Sequence, residues 1–128
     1  MAAALLKAAE PAWTVVSAGL APLTGHPADP IAIALMRERG LDISDHRAQP
    51  LTQDLCESSD VLLVMDSEQK KEIARRFPTA RGKLYRLCEH DDLNIFDPYQ
   101  LERVDFEQCL GLIERGVGAW QKKLRLIL

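Results

Sequence analysis

The side chains with chemistry to offer are few: Cys56, Cys88 and Cys109, His26, His46 and His90, and Asp97 in the turn Asp97-Pro98-Tyr99. A thiolate is a nucleophile or a metal ligand, an imidazole a base or a ligand, and a carboxylate a general acid or base. Spacing limits what they can do together. Three cysteines are an odd number with no metal-type interval, so neither a disulfide framework nor a thiolate centre is expected. No two histidines stand at ligand spacing, and no metal or other cofactor is expected. A free cysteine is most often a small buried hydrophobe, and an aspartate before proline suits an Asx turn. Glu89-His90-Asp91-Asp92 reads as a solvated loop. Lys70, Lys71, Arg75 and Arg76 alternate with Glu68 and Glu72, which reads as a solvated helix face rather than a phosphate patch.

A chain of 128 residues is one domain, taken here as 1–128. Lys and Arg number 16 against 19 Asp and Glu, a net charge of -3. Binding nucleic acid by counterion release needs a basic face, so that class is set aside; a small local anion site is not. No apolar run approaches the ~20 residues of a membrane span. Met1–Lys7 is too short for a secretory apolar segment and has no basic stretch ahead of it. With no disulfide pattern, a cytoplasmic setting is expected.

The elements that must position these residues alternate in type. Ala2–Ala9 predicts a helix stopped by Pro11, but nothing caps its start, so it reads as a helix whose beginning is elsewhere. Trp13–Ser17 is a β-branched run and predicts a strand. Asp29-Pro30 opens a helix as N-cap and first-turn proline, with Ile31, Ala34, Leu35 and Glu38 at helical spacing and Gly40 at its close. Thr52–Ser58 predicts a short helix. Val61–Met65 predicts a strand buried on both faces, and Ser67 a cap for the helix Glu68–Arg76. Lys83–Cys88 is a third strand candidate and His90–Gln100 a polar loop. Phe106, Cys109, Leu110, Ile113, Val117, Trp120 and Leu124 form one apolar stripe of a final helix, weakened locally by Gly111, Gly116 and Gly118. The alternation predicts an α/β fold with a parallel sheet, and a strand ahead of residue 1 would complete it.

Three pieces stand in a fixed order: Ser17-Ala-Gly-Leu20 with Gly25-His-Pro-Ala-Asp-Pro30, then Gly40-Leu-Asp-Ile-Ser-Asp-His-Arg-Ala48, then Asp97-Pro98-Tyr99. Together they resemble the low-molecular-weight protein tyrosine phosphatases, the bacterial branch in particular. The resemblance implies a three-layer α/β/α fold around a four-stranded parallel sheet. It implies a Cys-x5-Arg-Ser phosphate loop between the first strand and first helix. The thiolate there attacks phosphorus, and loop N–H groups and the arginine hold the phosphoryl oxygens. By resemblance, Asp97 is the general acid and base for the leaving phenolate and then water. Tyr99 walls the phosphotyrosine pocket, Leu23 stands at the opposite wall, His46 braces the phosphate loop and Ser17 supports the floor. Each has a plainer reading: a turn residue at Asp97, a ring plugging a loop at Tyr99, a solvent-exposed histidine at His46. The implied partner is a phosphotyrosine protein, with a bacterial tyrosine kinase as the candidate.

The chain departs from the family at its first residue. The family's phosphate loop precedes a Met-Ala-Glu-Ala-like helix start, and this sequence opens at that Met. The first strand, the nucleophilic cysteine and the arginine are therefore expected upstream of residue 1. Cys109-x5-Arg115 repeats the spacing, but Cys109 and Ile113 lie on a helical apolar stripe and Gly116 follows where Ser or Thr is expected. A helical stretch cannot form an anion nest. Cys56 and Cys88 have no arginine six positions on. In the family's sheet the first strand lies between those matching Trp13–Ser17 and Val61–Met65. Each main-chain group left unsatisfied without it costs ~1–3 kcal/mol. The 128 residues alone are expected to be catalytically dead, and to fold poorly or self-associate through the unpaired sheet. Three readings follow: a misassigned start to a full cytoplasmic phosphatase, a non-catalytic remnant or binding module, and, disfavoured by Asp97-Pro98-Tyr99, a relative of the arsenate reductases.

Overall fold

The computed structural model describes residues 1–127. Its helices are α1 (Ala2–Ala9), α2 (Pro30–Glu38), α3 (Gln53–Ser58), α4 (Ser67–Arg76) and α5 (Arg103–Arg125). Two strands, β1 (Leu62–Val64) and β2 (Leu84–Arg86), stand between them. Local chemistry sets most boundaries. Asp29 Oδ1 accepts from the Ile31 N–H at 2.8 Å with Pro30 at the first turn, and Gly40 ends the helix at φ +76°. Thr52 Oγ1 accepts from the Leu55 N–H at 3.2 Å. At α5, Glu102 and Asp105 cap each other's main-chain N–H groups reciprocally. The expected cap at Ser67 is corrected: Asp66 Oδ1 accepts from the Gln69 N–H at 2.7 Å. Ser67 is the first helical residue, and its hydroxyl bonds Asn94 Oδ1 at 3.1 Å instead.

The sheet is parallel, with Leu62 opposite Leu84, Leu63 opposite Tyr85 and Val64 opposite Arg86. Of the three expected strands, the one at Trp13–Ser17 does not form. Trp13–Ser17 is extended, and burial alternates residue by residue from Trp13 to Ala18, but among the described residues no strand pairs with it. A β-branched run supplies propensity; only an adjacent main chain makes it a strand. The ladder contact nearest to it is the single parallel bridge Gly19–Pro50.

Helices cover both faces, giving three layers. On one face, Leu5 and Leu6 of α1 and the α5 stripe from Cys109 to Leu124 pack over Leu63 and Tyr85. Against this same layer α2 contributes Ala32, Leu35 and Met36, which meet Phe106 and Leu110. On the other face, Cys56 of α3 and Ile73 of α4 pack on Val64 and Leu84. Where α5 descends on the end of β2 it does so at Gly116: a Cβ there would stand 2.6 Å from Leu87 Cγ. Among the described residues no helix is long and apolar enough to cross a membrane.

Candidate functional site

In an open parallel α/β sheet, ligands bind beyond the carboxyl ends of the strands. The loop from β2 to α5 crosses that end. Its anchor is Ile95, fully buried, whose N–H donates to the Met65 carbonyl at 2.8 Å just past β1. Two residues further, Asp97 is exposed, and its Oδ1 accepts from the Tyr99 N–H at 3.0 Å, the Asx turn expected from the sequence. Pro98 is buried beneath, and Tyr99 is 58% exposed. The Leu101 N–H closes onto the Pro98 carbonyl at 2.8 Å, with Gln100 at φ +65°. That is a type II turn carrying a non-glycine residue where glycine is preferred. The left-handed Asp92, at φ +51°, stands at the other end of the segment.

Arg86, 11% exposed, holds this loop, and no sequence motif singles it out. Its guanidinium donates to Asp92 Oδ1 at 2.5 Å and Asn94 Oδ1 at 3.1 Å, and its main-chain N–H to Glu89 Oε2 at 2.7 Å. Asn94 Oδ1 also receives the Ser67 N–H and hydroxyl, each at 3.1 Å. Asp92 and Glu89 raise the guanidinium pKa further above its ordinary value. The acidic stretch 89–92 is therefore the collar of one arginine as well as a solvated loop. The signal in the sequence is the Arg, Glu and Asp at 86, 89 and 92, and it emerges only when the acidic run is considered together with Arg86.

The second group of expected residues lies on two loops clamped together. Gly19 and Gln49 pair at 2.9 Å (Gly19 N–H to Gln49 C=O), Leu51 donates to the Gly19 carbonyl at 2.8 Å, and Gly25 and Ala48 pair at 2.9 Å. Gln49 Nε2 donates to the Ser17 carbonyl at 2.9 Å. Ser17 and His46 come together here: both line a cavity of about 320 Å³ and a second of about 180 Å³. Lys7 and Arg47 also line the larger one, and no acidic side chain does. Leu23, 58% exposed, stands on the clamped loop. Asp97, Tyr99 and Leu23 line neither cavity. Partial burial, the Met1 amino group and Arg47, in that order, hold the His46 pKa below its ordinary value.

All three cysteines are buried, and burial is the first cause of each raised thiol pKa. Cys109 reaches about 11, with the Asp97 charge the second cause. Its sulfur points to the Phe96 carbonyl at 3.4 Å, and residues 109–115 are helical throughout. That is a packed side chain without nucleophile character. Among the described residues no three His, Cys, Asp or Glu side chains converge as a metal site requires.

Residues 1–126 match the sequence model of the family described as low molecular weight phosphotyrosine protein phosphatase. The probable low molecular weight protein-tyrosine-phosphatase EpsP of Ralstonia solanacearum is 46% identical over 127 residues, 99% of this chain and 88% of that protein. The solved structure of Vibrio vulnificus Wzb in complex with benzylphosphonate superposes with a TM-score of 0.91 at 34% identity, covering 95% of this chain and 87% of that one. The YwlE arginine phosphatase from Geobacillus stearothermophilus superposes with a TM-score of 0.90 at 27% identity, covering 98% and 83%.

Proposed function

The chain belongs to the low molecular weight phosphotyrosine protein phosphatases, and on that premise we propose that its Asp97 turn serves phosphotyrosine hydrolysis. The observation that carries the reading is the turn itself. Asp97 is exposed beyond the sheet's carboxyl end, one carboxylate oxygen held by the Tyr99 N–H and the other free, beside an exposed tyrosine ring. The free oxygen protonates the departing phenolate, then takes a proton from the water that releases inorganic phosphate. Tyr99 and Leu23 flank the aromatic ring of the substrate, while His46 and Ser17 support the phosphate-binding segment from below. Phosphotyrosine is favoured over phosphoarginine because EpsP and Wzb, at 46% and 34% identity, exceed the arginine phosphatase at 27%.

The nucleophile is a Cys-x5-Arg-Ser segment that is not among these 128 residues. Buried Cys56, Cys88 and Cys109 do not replace it. A polypeptide of these residues alone is inert, and the unpaired main chain beside β1 supports its self-association. The enzyme acts in the cytoplasm on a phosphotyrosine protein, with a bacterial tyrosine kinase as the candidate.

The test compares two leaving groups. The 128-residue polypeptide releases no phosphate from p-nitrophenyl phosphate or a phosphotyrosine peptide. In a protein that also carries the nucleophile segment, Asp97→Asn lowers kcat/KM on the peptide by ~10²–10⁴-fold. It lowers kcat/KM on p-nitrophenyl phosphate far less, because that leaving group needs no proton. Turnover by the 128 residues, or equal losses on both substrates, refutes the assignment.

A further inference from the structure

The segment that leads from β2 to Asp97 has little main-chain bonding of its own. Asp92 and Leu93 donate back to the Glu89 and Cys88 carbonyls at 3.1 Å each, and Ile95 donates to Met65. The N–H groups of Asn94, Phe96 and Asp97 have no main-chain acceptor among the described residues. A side chain supplies what the main chain does not. Arg86 ends β2, and its own main chain is fixed on the side turned away from β1. Its N–H donates to Glu89 Oε2, and its carbonyl accepts from Trp120 Nε1 at 3.3 Å. From that fixed base the guanidinium reaches forward to Asp92 and Asn94 at once. Asn94 Oδ1 is held from a second side by the Ser67 N–H at the start of α4. Glu89 and Asp92 neutralise the arginine, and it is only 11% exposed, so it is not a site for a substrate anion. Its effect is on where Asn94 stands. Only buried Ile95 and Phe96 separate Asn94 from Asp97, and the Phe96 carbonyl is itself held by Cys109 Sγ at 3.4 Å.

We propose that Arg86 is a positioning residue for the reaction: through Asp92 and Asn94 it sets where the Asp97 carboxylate meets the leaving oxygen. The inference rests on the phosphotyrosine reading and names a residue that reading does not use. Arg86 touches neither substrate nor the transferred proton, and it acts only through distance. A general acid must stand within about 2.6–3.2 Å of the oxygen it protonates, and a displacement of about 1 Å can cost ~10²-fold in rate. The planar fork of an arginine spans two acceptors that the single ammonium of a lysine does not. Loss of the fork therefore releases Asn94 and lets Asp97 drift, while attack on phosphorus and grip on the phosphoryl oxygens, which use other groups, stay as they were. A basic leaving group such as the tyrosine phenolate suffers, and one that needs no proton does not.

The test uses a protein that also carries the nucleophile segment, a phosphotyrosine peptide, and a series of aryl phosphates from p-nitrophenyl to phenyl phosphate. Arg86→Met lowers kcat/KM on the peptide by ~10–10²-fold and on p-nitrophenyl phosphate by less than about threefold, so that kcat/KM falls more steeply with leaving-group basicity. Arg86→Lys shows the same pattern to a smaller degree. Asn94→Ala, at an exposed residue, repeats it and serves where Arg86→Met does not fold. Adding Arg86→Met to Asp97→Asn costs little beyond Asp97→Asn alone, because an acid already removed cannot be misplaced. Equal losses on all substrates, no loss on the peptide, or losses that multiply in the double variant overturn the proposal. Asp97→Asn alone keeps the two readings apart. Where it steepens the dependence on leaving group and Arg86→Met and Asn94→Ala do not, the positioning role falls and the phosphatase reading stands; where it does not, both fall.

Discussion

The glycines of α5 offer a test of the packing in which one substitution changes sign along one helix. Glycine in a helix interior costs about 1 kcal/mol relative to alanine. At Gly111 and Gly118 an added Cβ would meet nothing within 4 Å, so Gly111→Ala and Gly118→Ala each stabilise by up to about 1 kcal/mol. Gly116 is buried, and a Cβ there meets Leu87 Cγ at 2.6 Å, the Leu87 carbonyl oxygen at 3.0 Å and Cys88 Sγ at 3.2 Å. Leu87 and Cys88 are fully buried, and the Leu87 N–H is bonded to the Val64 carbonyl at 2.7 Å, so the obstruction is a main chain pinned to the sheet. Relief requires α5 to lift. Overpacking of this kind costs about 1–3 kcal/mol; after the gain in propensity, Gly116→Ala destabilises by up to about 2 kcal/mol. Urea unfolding followed through buried Trp120 separates the three variants at constant slope. A midpoint for Gly116→Ala at or above that of Gly111→Ala refutes the close approach of α5 to β2.

Two further outcomes follow from side chains already described. The Cys109 thiol is raised from 9.0 to about 11, so the folded state holds its proton more tightly than the unfolded state. That stability is fully present below pH 9.0 and is lost as pH rises toward about 11, a loss of about 2–3 kcal/mol at most. Cys109→Ala shows a shallower alkaline decline in urea midpoint than the parent chain; parallel declines contradict the burial argument. Arg86→Met removes the donor shared by Asp92 and Asn94, so amide exchange at Leu93 and Ile95 accelerates at least tenfold while α5 is unchanged. Unchanged exchange in the loop shows that Ile95 alone anchors it.

Much of the fold is legible in the sequence because its signals are local. Asp29, Pro30 and Gly40 fix both ends of α2 through one side-chain oxygen, one missing N–H and one left-handed backbone. The α5 stripe needs only its period: every residue from Phe106 to Leu124 on it is buried. The misses are places where a distant partner decides. Trp13–Ser17 has strand composition but, among the described residues, no strand pairs with it. In α2 the expected face of Ile31, Ala34 and Leu35 rotates to Ala32, Leu35 and Met36, because α5 lies to one side of it. Ser67 and Asp66 are both good caps, and Asn94, far along the chain, takes the serine. At the site, the order of motifs leads to Asp97, Tyr99, His46 and Ser17, and two of these, Ser17 and His46, line common cavities. Arg86 escapes a reading by motif because its role depends on three partners brought together by a turn, and Gly116 because its need lies in Leu87 on another element.

The frame of the Asp97 loop bears on how such a loop diversifies. Asp92 and Gln100 are the non-glycine residues described with left-handed backbone, and they stand at its two ends. Each accepts about 1 kcal/mol of strain, and each end has its own fastening: the Arg86 collar at one, the Pro98–Leu101 turn at the other. The residues between are thus held by their termini and by buried Ile95, while Phe96, Asp97 and Tyr99 face solvent. On the proposed reading, sequence drift at Phe96 and Tyr99 retunes which leaving group is served without disturbing the sheet, whereas drift at 86, 92 or 100 changes the frame for every substrate at once. The loop behaves as an interchangeable cartridge in a fixed mount.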